Sequence, residues 1–357
     1  MLSDYTQIAR PFQVLTPLPF DTLLLQSMTG EEELGRLSRY DLELLSTDDE
    51  IDTNALLGQP MCVRVISDAP GLNTEDRFFH GNVSRIAFAG YRGRLAQYRV
   101  ELRPWLWFLT RTTDCRVYQG LTVLEIAKQV FADNGFGHFE DLTTETYRPR
   151  EYCVQYRESD FDFISRLFEL EGIYYYFQHE MNKHTLIITD GAVGHGDEVG
   201  EIPFTAADAT TQSHQRSVIS QWTQERKSLP GTYTHRSYDF TKPRVDLTAR
   251  ASSRRGHAQD THEVFDFPAP DVQFDSLDQF ARIRLEELHA EHALVYGETN
   301  ARMLGCGCQF ALRGYPRKDQ NGDHLIKAAG YRVQNVPFEA GEKVVEAAFD
   351  IQFTALP

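Results

Sequence analysis

Apolar residues recur at every second position through much of the first 112 residues. The clearest runs are Met61, Val63 and Val65; Phe79, Gly81 and Val83; and Tyr98, Val100 and Leu102. Strict alternation places apolar side chains on one face of a strand and polar side chains on the other. Turn-forming residues at Asp68–Gly71 and Gly90–Gly93 separate these runs. Several short strands with such turns predict a sandwich or small barrel, and we assign a first β-barrel to residues 1–112.

The apolar period changes to that of a helix after Leu121. Thr122 and Glu125 form a T-x-x-E capping box, in which each side chain binds a backbone N–H at the helix start. Asn134-Gly135 ends this helix. Strand patterns follow near residues 152–154 and 185–189. We predict that residues 113–212 form an α/β unit distinct from the first barrel.

The segment from Arg157 to Phe177 combines strong helix and strand signals, and we expect the rest of the chain to be arranged around it. Ser159 is a good N-cap, and the acidic residues after it suit the positive end of the helix dipole. Apolar residues at helical spacing make a wide face that other structure must cover: Phe161, Phe163, Ile164, Leu167, Phe168 and Leu170. Gly172 ends the helix, and the aromatic run that follows favours a strand.

The last third of the chain places one more helix among strand patterns. This helix starts at Ser276, with a glutamine in the reciprocal capping position. The polar stretch Arg250–His262 lacks apolar periodicity and predicts a surface loop. We assign residues 213–245 and 300–357 to a second β-barrel, with 246–299 as a helical and loop insertion. The predicted fold class is α+β, mainly β, with two similar β-barrel domains and α/β insertions.

A short apolar pattern occurs near both ends of the chain. It reads V-x-x-I-x-F from Val83 to Phe88 and V-x-x-V-x-F from Val333 to Phe338, and alternating strands follow both copies. Such patterns also recur by chance in β proteins, so duplication and coincidence both stay open. If both copies belong to barrels, three chains would present six similar units around one axis.

Composition and charge narrow the classes of function. The 357 residues are 41% hydrophobic and carry a net charge of −16. That charge argues against nucleic acid or an anionic membrane as a partner, because both attract clustered Lys and Arg. The N-terminus lacks a signal-peptide pattern, and no apolar run approaches the roughly 20 residues that a membrane helix needs. We expect a soluble chain made in the cytosol, without stable membrane insertion.

Cysteine and histidine spacings give little support for a metal site. Five cysteines, at positions 62, 115, 153, 306 and 308, form an odd and scattered set that predicts reduced thiols. Cys306 and Cys308 are the only close pair, and one intervening residue is poor spacing for zinc. His289 and His292 lie near Glu286 on a predicted helix, but no third ligand is identifiable, so we interpret ELHAEH as a solvated helix face with local ion pairs.

Two other groups of polar residues also have simpler structural interpretations. His257 and His262 lie in the polar loop and are weaker candidates for metal ligands than His289 and His292. Asp319–Asp323 resembles part of a calcium loop but lacks the distal Glu, so a hairpin turn around Asn321-Gly322 explains it better.

A catalytic carboxylate pair or an aromatic binding platform would imply action on a sugar polymer. Glu169 and Glu171 could suggest a glycosidase, but residues two apart on a helix point in different directions. Tyr174–Tyr176 could stack on sugars or bases, yet such aromatic strands are more often core or subunit interface. We predict no catalytic, cofactor-binding or metal site.

The stretch Cys153–Phe177, CVQYRESDFDFISRLFELEGIYYYF, resembles the signature of the VgrG spike proteins of type VI secretion systems. Further matching motifs are FFHGNVSRI near Phe78, RPWLWFLTRTTDCRVYQGLTVLEI near Arg103, SYDFTKP near Ser237 and ARIRLEELHAEHA near Ala281. The resemblance covers essentially the whole chain. It implies a homotrimer of two-barrel subunits, related to the hub of contractile phage tails, that sits between a tube of Hcp rings and a puncturing tip.

The same resemblance implies partners and a destination for the chain. The implied partners are the Hcp tube ring, baseplate components, and spike tip or effector proteins, and the implied route is from the bacterial cytoplasm into the medium or a target cell without a signal peptide. Such proteins typically continue into an OB-like domain and a long triple-stranded β-helix, whereas this sequence stops at Pro357, which predicts a fragment or a split spike.

Two hypotheses from different classes follow. The first is a structural spike hub, trimeric and without a catalytic residue, with the hub of a contractile phage tail as its near neighbour. The second is a polysaccharide or cell-wall hydrolase with an unrecognised site. Mass in solution separates them, because the first requires a trimer and the second is compatible with a monomer.

Overall fold

A computed structural model describes residues 5–67, 75–196, 199–206, 217–268, 274–339 and 346–357. Its first strands are β1 Phe12–Leu15, β2 Leu24–Glu33, β3 Arg39–Ser46, β4 Pro60–Val65, β5 Arg77–Arg92, β6 Leu95–Arg103 and β7 Thr113–Tyr118. The next are β8 Phe139–Asp141, β9 Cys153–Ser159, β10 Tyr174–His179, β11 His184–Thr189, β12 Glu201–Pro203 and β13 Ile219–Arg226. The last are β14 Thr232–Ser237, β15 Leu247–Ser252, β16 Glu263–Asp266, β17 Ala293–Thr299, β18 Gln309–Arg313, β19 Gly322–Gln334 and β20 Ala348–Leu356.

Helices are fewer than strands in the described residues. They are α1 Thr53–Leu56, α2 Val123–Asp133, α3 Asp160–Glu171 and α4 Phe274–His289, and a 3-10 helix spans Trp105–Arg111. The predominance of strands confirms the predicted mainly β class. Within the described residues, no helix has both the length and the apolar character needed to cross a membrane.

The largest element of the fold is one sheet that contains strands from both ends of the chain. Its strands follow the order β1-β4-β5-β6-β3-β2-β19-β20-β17-β13, and β18 pairs with β19 and with β12. The antiparallel pairing of β2 with β19 joins the first part of the chain to the last. Apolar side chains from both parts form one cluster, from Phe12 and Leu42 to Phe310 and Phe353. The two predicted barrel regions therefore share a sheet and a core.

The α/β unit, comprising β7–β11 with α2 and α3, has its own core. The predicted capping box at Thr122 is present, and the Ser159 side chain accepts from the Asp162 N–H at the start of α3. Gly172 ends α3 with a φ of 73°, a conformation that glycine adopts without steric cost. Phe163 and Leu167 of α3 are fully buried in this core. The predicted N-caps of α2 and α3 and the predicted end of α3 are confirmed. They could be predicted because caps and apolar spacing depend on residues that are adjacent in the sequence.

A separate small sheet, β15-β14-β16, is covered on one face by α4. Strand β14 lies in the segment 213–245 that we assigned to the second barrel. It pairs with β15 and β16, and its Tyr233 belongs to one apolar cluster with Leu277 of α4. Strand β17 lies in the segment 246–299 that we assigned to the insertion, and it pairs with β13 and β20 in the large sheet. The domain limits stay predictions.

Several smaller predictions differ from the structure. Helix α4 begins at Phe274, upstream of the predicted start at Ser276, and the predicted loop Arg250–His262 overlaps the end of β15. Val333 lies in β19, but the rest of its pattern, through Phe338, follows the strand's end. The proposed duplication therefore stays a prediction. The predicted turn at 68–71 lies outside the described residues. The turn predicted at Gly90–Gly93 is displaced, because β5 continues to Arg92 and the chain turns at Gly93-Arg94 before β6.

Candidate assembly surface and its buried anchor

A polar face runs across neighbouring strands of the large sheet from β5 to β13. On β2, Thr29 and Glu31 are exposed, whereas Met28 and Glu32 are buried. Strand register places the following residues in one row across the face: Arg85, Glu101, Asp41, Thr29, Arg332 and Asp350. The middle of the face is a groove of about 960 Å³ lined by β2, β3, β13, β17, β19 and β20. We call this surface the polar sheet face.

Charges of both signs pair across the strands of the polar sheet face. Arg39 lies 2.7 Å from Asp41 and 3.2 Å from Glu101 on the adjacent strand. Gln352 and Gln221 both donate to the Glu298 carboxylate, at 3.0 and 2.7 Å. Exposed pairs of this kind add little to stability. The face is therefore a mixed-charge surface that water can wet, and it is not an apolar patch.

A buried carboxylate lies behind this face where the two parts of the sheet meet. Glu32 on β2 accepts hydrogen bonds from the hydroxyl of Tyr40 on β3 and from that of Tyr331 on β19, the latter at 2.6 Å. The Cys306 N–H donates to it at 3.3 Å, and an Arg77 guanidinium nitrogen is 3.9 Å away. We call this set the Glu32 anchor. It connects the two halves of the sheet through one side chain. The first half is β1–β6, and the second half is β12, β13 and β17–β20.

Glu32 keeps its charge in the interior because its neighbours favour the anion. Burial alone would raise its pKa, but the hydrogen bond and charge of His179, the charge of Arg77 and the Tyr331 hydrogen bond together lower the pKa to about 2. The folded-state pKa of Glu32 lies below its ordinary value of 4.5. The ionised carboxylate therefore stabilises the fold in full above about pH 4.5. This contribution is lost as the pH falls toward 2.

Three buried histidines link the Glu32 anchor to the α/β unit. His179 on β10 places Nε2 3.4 Å from Glu32, and the backbone N–H of His80 on β5 lies 3.2 Å from its Nδ1. The Nδ1 atoms of His80 and of His184 on β11 are 2.8 Å apart. The Trp105 N–H donates to Nε2 of His184 at 2.8 Å. This histidine chain joins the first half of the sheet to both strands of the β10–β11 hairpin.

The cysteines and histidines considered in the sequence have structural partners. Cys306 donates its Sγ–H to the Lys327 carbonyl at 3.3 Å, and burial raises the pKa of the Cys306 and Cys308 thiols, which keeps them protonated at neutral pH. Among the described residues, no group of three or more His, Cys, Asp or Glu side chains has an arrangement that could hold a metal ion.

The interpretation of ELHAEH as a solvated face is wrong for one of its histidines. His289 is buried, accepts from Arg255 at Nδ1, and lies 3.0 Å through Nε2 from the Pro230 carbonyl. His292 Nδ1 is 2.8 Å from the Lys227 carbonyl, and its ring stacks on His257. The two side chains therefore join the end of α4 and the connection after it to the segment before β14. Glu286 is exposed, and exposed His262 lies near Gln259.

The remaining candidates also serve local structure. Glu171 accepts from Arg150 at 2.7 Å, whereas Glu169 is exposed on α3. Asp319 pairs with Arg317 in the connection between the antiparallel strands β18 and β19, where a 3-10 turn at Lys318–Gln320 comes just before the predicted turn residues Asn321-Gly322. Tyr175 and Tyr176 are buried, which confirms their predicted core position.

The partners that form the anchor and the histidine chain are not evident from the sequence alone. One signal was available, since alternation along β2 puts Glu32 on the same side as buried Met28. An acidic residue at a core position requires partners. The identity of those partners could not be read from the sequence, because Arg77, His179 and Tyr331 are distant from Glu32 along the chain.

The family model for the phage tail baseplate hub (GPD) matches residues 31–337 of this chain. The chain belongs to the phage tail baseplate hub family. It is also 41% identical over 350 residues to the type VI secretion system spike protein VgrG1a of Pseudomonas aeruginosa, covering 98% of this chain and 54% of that protein. The hub chain spans about half the length of the curated relatives it matches.

Solved structures share the hub fold at low sequence identity. An Escherichia coli protein, c3393, described as a component of the type VI secretion system, matches with a TM-score of 0.69 and 18% identity over 97% of this chain and 76% of that one. A tail protein of Neisseria meningitidis matches with a TM-score of 0.65 and 11% identity, covering 97% of this chain and 96% of that one. These likenesses confirm the predicted phage-tail-hub-like fold.

Proposed function

We propose that the chain is the structural hub of a type VI secretion spike. In this proposal three copies form a ring that docks the Hcp tube on one side and carries the puncturing tip into a target cell. The observation that carries the proposal is the single sheet in which strands from both ends of a hub-family chain form one continuous polar face. A ring lined by such a face presents charged and amide side chains to water along its axis.

The strand order suggests how copies would meet. Strand β13 ends the sheet path, and the described residues beyond it contribute only the bridge from Phe204 to Ile219. An incompletely paired strand exposes backbone N–H and C=O groups that a neighbouring chain can bind. We therefore propose that the edge formed by β13 lies at a contact between subunits. Three copies, each with two halves of the shared sheet, would give six lobes facing a sixfold tube.

We infer a non-enzymatic role. A glycosidase needs two carboxylates at a defined separation across a cleft, and the candidate Glu171 is held by Arg150. The spike role of the relatives, stated in their names, supports the same inference. Release of reducing sugars from purified cell-wall polymer by the wild-type chain would refute it.

Electron micrographs of the purified chain test the ring directly. We expect particles with threefold symmetry and six similar lobes around a central axis, and we expect them to cap added Hcp rings end-on. Particles without rotational symmetry would contradict the proposal. Capping of tube rings from a contractile phage, with no capping of Hcp, would assign the chain to a phage tail, a neighbouring function that the family match and the N. meningitidis tail protein support.

A further inference from the structure

The hydrogen-bond directions in the histidine chain are fixed by one backbone donor. The Trp105 N–H donates to His184 Nε2, so this nitrogen carries no proton. In a neutral ring the proton then lies on Nδ1, which donates to His80 Nδ1 at 2.8 Å. His80 in turn carries its proton on Nε2, consistent with its hydrogen bond to the backbone of Asn182. The contact between β5 and β11 thus requires both rings to be neutral.

A second proton on either ring would place two donors against each other. On His80 it would occupy Nδ1 and oppose the Nδ1–H of His184, and on His184 it would occupy Nε2 and oppose the Trp105 N–H. Water cannot easily take over these contacts, because His80 and His184 are only 6% and 3% exposed. Protonation therefore favours separation of β5 from β11.

The charges around the pair oppose an added proton. His179 on β10 faces both rings, and His138, just before β8, adds to the same unfavourable charge. The Glu32 carboxylate, with Tyr40 and Arg77, lies on the far side of His179. The carboxylate therefore faces His179, and a positive charge on His80 or His184 would not have it as a direct neighbour.

We propose that the His80–His184 pair is an acid-labile joint: in mild acid the contact between β5 and β11 opens and loosens the α/β unit, while the Glu32 anchor still holds the two halves of the sheet together and keeps His179 of β10 beside it. The two contacts respond differently because one depends on neutral rings and the other on an anion. The hub would thus keep its barrel regions folded while the α/β unit opens at β11 and stays attached through β10.

The pKa directions agree with this order of events. Burial and the charge of His179 lower the pKa of His80 to about 4, and the same causes lower that of His184 well below its ordinary value. A lowered histidine pKa gives stability that is complete above about 6.5 and is lost as the pH falls toward 4. The Glu32 contribution is complete above about pH 4.5 and is lost only as the pH falls from there toward 2. The joint weakens first.

Hydrogen exchange of the whole chain at pH 7.0 and pH 4.5, corrected for intrinsic rates, tests the proposal. We expect the protection of α3 and β11 to fall at least about tenfold more than that of β2 and β19. Equal loss across all of these elements, or no loss in the α/β unit, would overturn it. Buried His195 and His324 also have lowered pKa values, so a variant is needed to assign the effect to the joint.

His80→Asn supplies that assignment. Its amide oxygen can accept at the position of Nδ1 and does not titrate, so we expect the difference in α/β protection between the two pH values to shrink several-fold. His262→Asn removes an exposed histidine and is the matched control, with an unchanged difference expected. A His80→Asn chain that keeps the full pH difference contradicts the joint. If this variant does not fold, His80→Gln replaces it, because its amide oxygen also accepts and does not titrate, and the same reduction of the pH difference is expected.

Discussion

Glu32→Gln is expected to lower the free energy of unfolding by about 3–5 kcal/mol. The substitution keeps the size of the side chain but removes the charge that Arg77 and His179 face, and it puts an amide donor among the hydroxyl donors of Tyr40 and Tyr331. Removing one partner of a buried ion pair has a cost of this order. The midpoint and slope of guanidinium unfolding at neutral pH measure it.

The neighbouring residue provides the control for this variant. Glu31 is on the same strand but is exposed on the polar sheet face, so Glu31→Gln should change stability by no more than about 0.5 kcal/mol. In a double-mutant cycle, adding Arg77→Gln to Glu32→Gln should cost less than Arg77→Gln alone, because the cation has already lost its counter-ion. Equal stability of wild type and Glu32→Gln would show that the anchor does not hold the two halves together.

Phe310→Ala is expected to lower the free energy of unfolding by about 3–5 kcal/mol. Phe310 is fully buried, and its ring lies 5.7 Å from that of Phe353 and 5.6 Å from that of His324. These residues belong to the second half of the large sheet. Since that half shares one core with the first, the loss should appear as one cooperative transition at a lower denaturant concentration.

An exposed phenylalanine serves as the comparison for the core variant. Phe240 is 83% exposed in the connection between β14 and β15, so Phe240→Ala should leave the unfolding midpoint nearly unchanged. An early separate transition for Phe310→Ala, with the first half of the sheet still folded, would contradict a shared core.

Local features of this fold were predictable because they depend on adjacent residues. The caps at Thr122 and Ser159, the stop at Gly172 and the alternation through β6 are each determined within a few positions. The VgrG-like motifs in turn led to the hub family, which the family match confirms.

Features that depend on distant residues were not predictable in the same way. The pairing partners of β14 and β17 could not be predicted, because a strand pattern does not indicate which strand it will pair with. The pairing of β2 with β19 is of the same kind. The anchor and the histidine chain were missed for a related reason. A buried Glu or His has little meaning until its partners are known, and those partners come from separate units of the fold.

Association of like chains into a ring is measured by sedimentation of the purified chain at high micromolar concentration. We expect one species of about three times the 40.9 kDa chain mass. A monomer that persists across the whole concentration range would contradict it.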